Sequence, residues 1–247
     1  MKYKTVEFGN NLKIGILGGI GPEASAEFYH RLIKELQDTG LIKSNKDFPQ
    51  IILNSIPAPE LIGDEISFSQ LAPYRDGLRE LNEFRVDIIV MVCNTIHLFY
   101  NELQKITRVP ILDLKSEVRR KIENDKFRKL AIMGTPRTIK SSLYRFKDIK
   151  YVPLSDKEIR QISAAIFSYN RGENKAKQRQ IVEQIARRCL SRGAEAIILA
   201  CTETAMMLEK ADIPKIDTIE VLVRSVVESY QKRRLPLLGN ESMEVLK

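Results

Sequence analysis

The chain has no tryptophan, two histidines and three cysteines among its 247 residues. With so few histidines, and neither a CxxC pair nor an HExxH run, a dedicated transition-metal site is not expected. The cysteines lack pairing spacings, which argues against a disulfide framework and for a reducing, cytoplasmic setting. No apolar run approaches the ~20 residues of a membrane span, and Met1-Lys2-Tyr3-Lys4-Thr5-Val6-Glu7 lacks the apolar core of a signal peptide. Neither the Rossmann GxGxxG nor the Walker Gly-Lys-Ser/Thr pattern occurs, so a bound nucleotide is not expected. The net charge of +8 invites a nucleic-acid reading. Its basic residues, however, are scattered in small clusters, at Arg119-Arg120-Lys121, Arg187-Arg188 and Lys232-Arg233-Arg234, with no aromatic interleaving. A solvated surface that draws in small anions fits this charge better than a nucleic-acid partner or a membrane.

What remains is an ordinary globular composition, 43% apolar and 29% charged, long enough for one large domain or two small ones. Two stretches organise it. Ile88-Ile89-Val90-Met91-Val92-Cys93-Asn94-Thr95-Ile96-His97 is a short apolar run that ends in a cysteine and a threonine. Ala196-Ile197-Ile198-Leu199-Ala200-Cys201-Thr202-Glu203 repeats the design. The runs are too short and too β-branched for helices and read as buried parallel strands. The match extends outward. Asp87 and Glu195 each lie six residues before a cysteine, and Val109-Pro110-Ile111-Leu112-Asp113 corresponds to Ile213-Pro214-Lys215-Ile216-Asp217. Upstream, Ile14-Gly15-Ile16-Leu17-Gly18-Gly19 corresponds to Leu130-Ala131-Ile132-Met133-Gly134-Thr135. Anchors recurring in one order suggest a duplicated unit.

Strands alternating with helices predict an α/β protein of two similar parallel-sheet halves, residues 1–113 and 114–216, with the helix in 217–247 returning to the first. Helices are expected over 22–37, 69–84, 97–106, 116–124, from Gly134-Thr135-Pro136 through Phe146, over 156–170 behind a Ser155–Glu158 capping box, over 178–191 and over 218–232. Val109 to Leu112 reads as a short strand, and 235–247 as a loose tail. Ligands of such sheets sit at the carboxyl ends of strands, where Gly18, Cys93, Gly134 and Cys201 all fall. The two halves facing each other would bring Cys93 and Cys201 to one cleft.

A thiol between a strand and a helix N-terminus meets free N–H groups and the positive end of a dipole, which lower its pKa from ~8.5. Two such thiols on opposite faces of a bound carbon suit inversion of a stereocentre: one removes the α-proton and the other returns one. Asn94, Thr95 and Thr202 are placed to hold a substrate carboxylate, and His97 and Glu203 to orient or assist the thiols. His97 lies four residues, one helical turn, after Cys93. Cys189, on the apolar face of its helix, reads as core, and His30 as structural.

At these motifs the sequence resembles the aspartate/glutamate racemase family, in its cofactor-independent aspartate racemase branch. The matching stretches are Gly15-Ile16-Leu17-Gly18-Gly19-Ile20-Gly21-Pro22, Cys93-Asn94-Thr95-Ile96-His97, Gly134-Thr135 and Cys201-Thr202-Glu203, spread over residues 13–230. The resemblance implies two α/β halves with the site between them, racemisation of an amino acid without pyridoxal phosphate or any other cofactor, and a homodimer. It implies Cys93 and Cys201 as the acid/base pair. Asn94, Thr95, Thr202, Ser25, Gly19 and Thr135 would be substrate contacts, and Arg171 a substrate-binding cation. Aspartate or glutamate is the substrate the resemblance implies. Members selective for aspartate resemble one another in an arginine after an Ile-Pro pair, and here Ile56-Pro57 is followed by Ala58-Pro59-Glu60. A neutral amino acid, isomerisation or decarboxylation of a small dicarboxylate, and ligand binding without turnover are the alternatives the sequence leaves open.

Overall fold

A computed structural model describes residues 12–59, 61 and 69–244. The chain opens with β1 (Lys13–Gly18), whose glycine-rich end turns into α1 (Pro22–Asp38), and returns as β2 (Gln50–Ser55). Helix α2 (Ala72–Glu83) leads to β3 (Ile88–Met91), the strand before Cys93. A 3-10 turn (Thr95–Phe99), short α3 (Tyr100–Gln104) and α4 (Leu114–Asn124) follow. The same scheme then starts again. It runs through β4 (Lys129–Gly134), α5 (Pro136–Lys140), β5 (Lys150–Tyr151), α6 (Asp156–Asn170), α7 (Lys175–Ser191) and β6 (Ala196–Ala200). Helix α8 (Thr202–Met207), β7 (Lys215–Asp217) and α9 (Thr218–Glu244) close the chain.

The fold is α/β with two all-parallel sheets, ordered β2-β1-β3 and β5-β4-β6-β7. In each, the strand before a cysteine lies beside the strand that ends in glycine: Ile16 pairs with Val90, and Ile132 with Ile198. The matched sequence anchors do matching work. The Asp87 carboxylate accepts the Lys13 N–H at 2.7 Å, and Glu195 accepts those of Arg128 and Lys129 at 2.6 and 3.1 Å. Each thus caps the start of the neighbouring strand and fixes its register against the cysteine strand. On the other side, the Pro110 and Pro214 carbonyls accept the N–H groups of Ile89 and Ile197.

Alternation decides how the strands are buried. Ile14, Ile16, Val90 and Val92 enter a large core with α1, α4, α9 and the second sheet, while Leu17, Ile89 and Met91 pack toward α2. Helix α9 lies against α1 and α4, and the Tyr230 hydroxyl donates to the Asp47 carbonyl at 2.6 Å.

Four expectations need correction. Val109 to Leu112 makes one bridge, Ile89 to Ile111, rather than a strand, because the Gln104 amide takes up Ile111 N–H and the Val109 carbonyl. The segment after Cys93 winds as a 3-10 turn before α3, so residues four apart do not stack there. Helix α5 stops at Lys140, where extended Ser141 turns its hydroxyl back to the Thr138 carbonyl. Helix α9 continues past Lys232 to Glu244, held beyond that point by the Arg234–Asp47 ion pair at 2.8 Å. Among the described residues no helix is long and apolar enough to cross a membrane.

The capping box expected at α6 is present: Ser155 Oγ accepts from Glu158 N–H, and Glu158 Oε2 accepts from Ser155 N–H. Arg188 of α7 and Arg192 at its C-terminal cap reach the same carboxylate at 3.2 and 3.1 Å, tying α7 to α6, which walls the site. Burial would raise this carboxyl, but the Ser155 N–H and the two guanidinium groups prevail and hold it at about 2, below its ordinary 4.5. A depressed carboxyl stabilises the fold fully above pH 4.5, and that contribution is lost as pH falls toward 2. Glu158→Gln is expected to cost about 1.5–3 kcal/mol at pH 7 in urea melts, as for other charged hydrogen bonds, and progressively less between pH 4.5 and 2.

Candidate active site

The site forms where the two cysteine strands and the two glycine strands end. At the tip of β1 the chain turns through Gly19 and Gly21, both at φ +85°. A Cβ on Gly19 would stand 2.2 Å from the Ile56 carbonyl oxygen, so only glycine allows β2 to approach this closely. A Cβ on Gly134, at the tip of β4, would stand 2.5 Å from the carbonyl of Ala200, the residue before Cys201. These approaches draw the loops together around a cavity of about 550 Å³. Gly19 and Gly21, Cys93, Thr95 and Thr135, and Cys201 with Glu203 line its polar part, and Ile20, Ala58, Leu61, Ile166 and Phe167 its apolar part.

Cys93 and Cys201 thus line one cavity from two different sheets. The backbone N–H groups of Thr95 and Ile96 point at the Cys93 sulfur, and that of Glu203 at Cys201. Cys201 Sγ donates to Glu203 Oε2 at 2.7 Å, and Thr202 Oγ1 donates to the same oxygen at 3.1 Å. The expectation of lowered thiol pKa values is overturned. Burial pushes Cys93 up to about 11 against the help of its N–H donors, and the Glu203 charge adds to the rise. Cys201 is raised well above its ordinary value by burial and then by Glu203. Loss of hydration for a thiolate outweighs one or two backbone dipoles.

Other expected site residues divide between cavity and support. Ser25 is buried behind the loop, where its hydroxyl accepts from Gly19 N–H at 3.0 Å and donates to the Gly21 carbonyl; it shapes the loop without lining the cavity. Thr95 and Thr135 line the wall, each sharing a hydrogen bond with the Thr138 hydroxyl, at 3.1 and 2.9 Å. Asn94 lies in the wall with its amide turned to Tyr144 and Thr218. Arg171 stands at the rim, 60% exposed and paired with Glu173 at 2.6 Å. Glu23, also at the rim, pairs with Lys175 across the mouth at 2.5 Å.

His97 is not in the cavity. Its Nε2 bonds the Met91 carbonyl at 3.2 Å, which also accepts Cys93 N–H, so the imidazole packs behind the strand end and Nδ1 is buried without a partner. The 3-10 winding swings the ring away from the position one α-helical turn would give it. Sequence reasoning missed Tyr144, Thr138, Thr218 and the apolar wall; Tyr144 fell inside a stretch read as uninterrupted helix. Among the described residues no group of three or more His, Cys, Asp or Glu is arranged to hold a metal.

Comparison with known proteins places this geometry. The profile of the Asp/Glu/Hydantoin racemase family matches residues 17–226. The chain belongs to this family. It is 28% identical over 226 residues to the broad specificity amino-acid racemase RacX of Bacillus subtilis (strain 168), spanning 88% of this chain and 97% of that one. Its fold superimposes on Picrophilus torridus aspartate racemase with a TM-score of 0.75, at 23% identity and over 91% and 99% of the two chains. For glutamate racemase from Francisella tularensis subsp. tularensis SCHU S4 the TM-score is 0.62, at 20% identity over 92% and 84%.

Burial holds the His97 imidazole at about 4, below its ordinary 6.5. As pH falls through 6.5 the unfolded chain takes up a proton that the folded one refuses, so stability drops until the folded ring protonates near 4. Wild type is expected to lose more stability than His97→Gln between pH 7 and 4.5 in urea melts, and the imidazole NMR signals to titrate near pH 4.

Proposed function

We propose that this racemase-family enzyme inverts the α-carbon of a free amino acid by two-base chemistry, with Cys93 and Cys201 as the bases. The observation that carries the reading is two thiols from separate sheets lining one cavity, with two backbone N–H groups aimed at the Cys93 sulfur and one at that of Cys201. In one direction a thiolate takes the α-proton from its face, and the opposite thiol gives its proton to the other face of the carbanion. The sulfurs exchange states at each turnover, and the reverse reaction restores them. Glu203 has a part in this. The proton that Cys201 must lose already points at its carboxylate, 2.7 Å away, and that carboxylate faces the cavity as a countercharge for a substrate ammonium. Whichever of the Thr95 and Thr135 hydroxyls accepts the Thr138 proton keeps its own for the α-carboxylate, while the Thr202 hydroxyl is given to Glu203. A hydrolase using Cys93 would need a base beside it, and His97 is turned away.

The substrate side chain that fits is neutral. The wall it would meet is Ala58, Leu61, Ile166 and Phe167, and the one cation lining the cavity among the described residues, Arg171, is at the rim and already paired. Desolvating a second carboxylate against that wall without a cation is costly, so aspartate and glutamate, the substrates implied by the resemblance, are poorer fits. The similarity to a relative named for broad specificity points the same way.

Single enantiomers of neutral and acidic amino acids, followed by circular dichroism without added cofactor, test this. Cys93→Ala and Cys201→Ala are each expected to lower racemisation at least about a thousandfold, within the range for lost acid/base groups. Activity surviving in either variant would overturn the two-base reading. Because the base must be ionised and Cys93 stands at about 11, kcat/KM is expected to climb by up to tenfold per pH unit from pH 7 to about 10. Ala58→Arg is expected to raise kcat/KM for aspartate relative to a neutral amino acid by about tenfold or more, the worth of one new charge-assisted hydrogen bond.

A further inference from the structure

Beneath the cavity floor a chain of hydrogen bonds links the residue after one cysteine to the strand that leads to the other. Asn94 directly follows Cys93 and is buried. Its Oδ1 accepts from the Tyr144 hydroxyl at 2.5 Å, and its Nδ2 donates to Thr218 Oγ1 at 3.0 Å. Thr218 Oγ1 donates onward to the Leu199 carbonyl at 2.8 Å. Leu199 stands on β6, two residues before Cys201. Tyr144 is fully buried and Thr218 nearly so, and neither lines the cavity. Burial first, and then negative charge at Cys93, Asp113 and Cys201 in that order, make the phenol harder to ionise. It stays a neutral donor, which is the state Asn94 Oδ1 requires. With one acceptor oxygen and one amide hydrogen committed in this way, Asn94 has a single orientation, and the loop carrying Cys93 takes its position from the second half of the molecule.

We propose that Tyr144 and Thr218 are positioning residues which, through Asn94, fix the Cys93 sulfur relative to Cys201. This rests on the two-cysteine reading above. The same loop is also held by Thr95 against Thr138. Loss of the Asn94 links therefore shifts the loop by a fraction of its length without releasing it, and a shift of about 1 Å at a reacting atom can cost 10²-fold in rate. Substrate binding groups on the remaining wall stay where they are, so the effect falls on kcat.

The test uses Tyr144→Phe and Thr218→Val, which each delete one hydroxyl, and Thr218→Ser, which keeps it. Both deletions are expected to lower kcat about 10- to 100-fold with KM within about twofold, and Thr218→Ser to stay near wild type. Adding Tyr144→Phe to Asn94→Ala is expected to cost little more than Asn94→Ala alone, because both act on one link. Alkylation by iodoacetamide, mapped by mass spectrometry, gives a readout independent of turnover. Cys93 is expected to change rate several-fold in both deletions while Cys189, buried in α7, does not. Wild-type kcat and alkylation in the deletions, a parallel rise at Cys189, or a Thr218→Ser variant as impaired as Thr218→Val would each overturn the proposal. If wild type racemises nothing, the functional reading fails on its own, and the alkylation pattern still decides whether the chain of hydrogen bonds sets the thiols.

Discussion

A sulfur base strong enough to take an α-proton must be poorly hydrated, yet a poorly hydrated sulfur resists becoming an anion. On the two-base reading proposed above, the structure is built around that tension. Cys93 and Cys201 are sunk in one cavity where burial and the Glu203 charge hold both as thiols; against this stand the backbone N–H groups of Thr95 and Ile96 at Cys93 and of Glu203 at Cys201, and the Glu203 carboxylate is the group to which the Cys201 proton already points. A fully solvated thiol would ionise more easily and be a weaker base. The arrangement trades a small thiolate population for a reactive one, and a bound ammonium close to Glu203 is the charge that would shift the balance when substrate is present.

Holding two such sulfurs on one carbon, as the proposed two-base reaction requires, is a demand on backbone geometry, and both halves carry one device that would meet it. A cysteine strand lies beside a strand that ends in glycine, an acidic residue caps the neighbouring strand's start, and a proline carbonyl pairs on the other side. Tight approaches at Gly19 and Gly134 bring the strand ends together. The halves are then registered to each other by buried polar contacts, Asn94 with Tyr144 and Thr218, and Thr95 with Thr138. Apolar packing sets the halves side by side; these directional contacts set where the sulfurs stand.

Much of this was legible in the chain. The strands announced themselves by β-branched runs of four to six residues, Asp87 and Glu195 by recurring six residues before a cysteine, and Pro110 and Pro214 by recurring in matched stretches after one. What was not legible depended on the winding of a few residues or on distant contacts. His97 looked like a partner of Cys93 only if an α-helix began at once, and the chain takes a 3-10 turn instead. The thiols looked activated because helix termini are visible in a sequence and burial is not. Tyr144 meets Asn94 across fifty residues of sequence, and no local pattern marks it. Ser25 sat in the right motif, yet its hydroxyl is spent on the loop behind the cavity.

The central claim, that two sulfurs act from opposite faces of one carbon, is tested most directly by the isotope content of both enantiomer pools at early times in D₂O. Starting from a single protiated enantiomer, the account predicts product carrying solvent deuterium at Cα while recovered substrate remains protiated, because the base that removes the proton is not the one that returns it. Equal deuterium in substrate and product from the first turnovers would mean that one exchanging base serves both faces, and would contradict it.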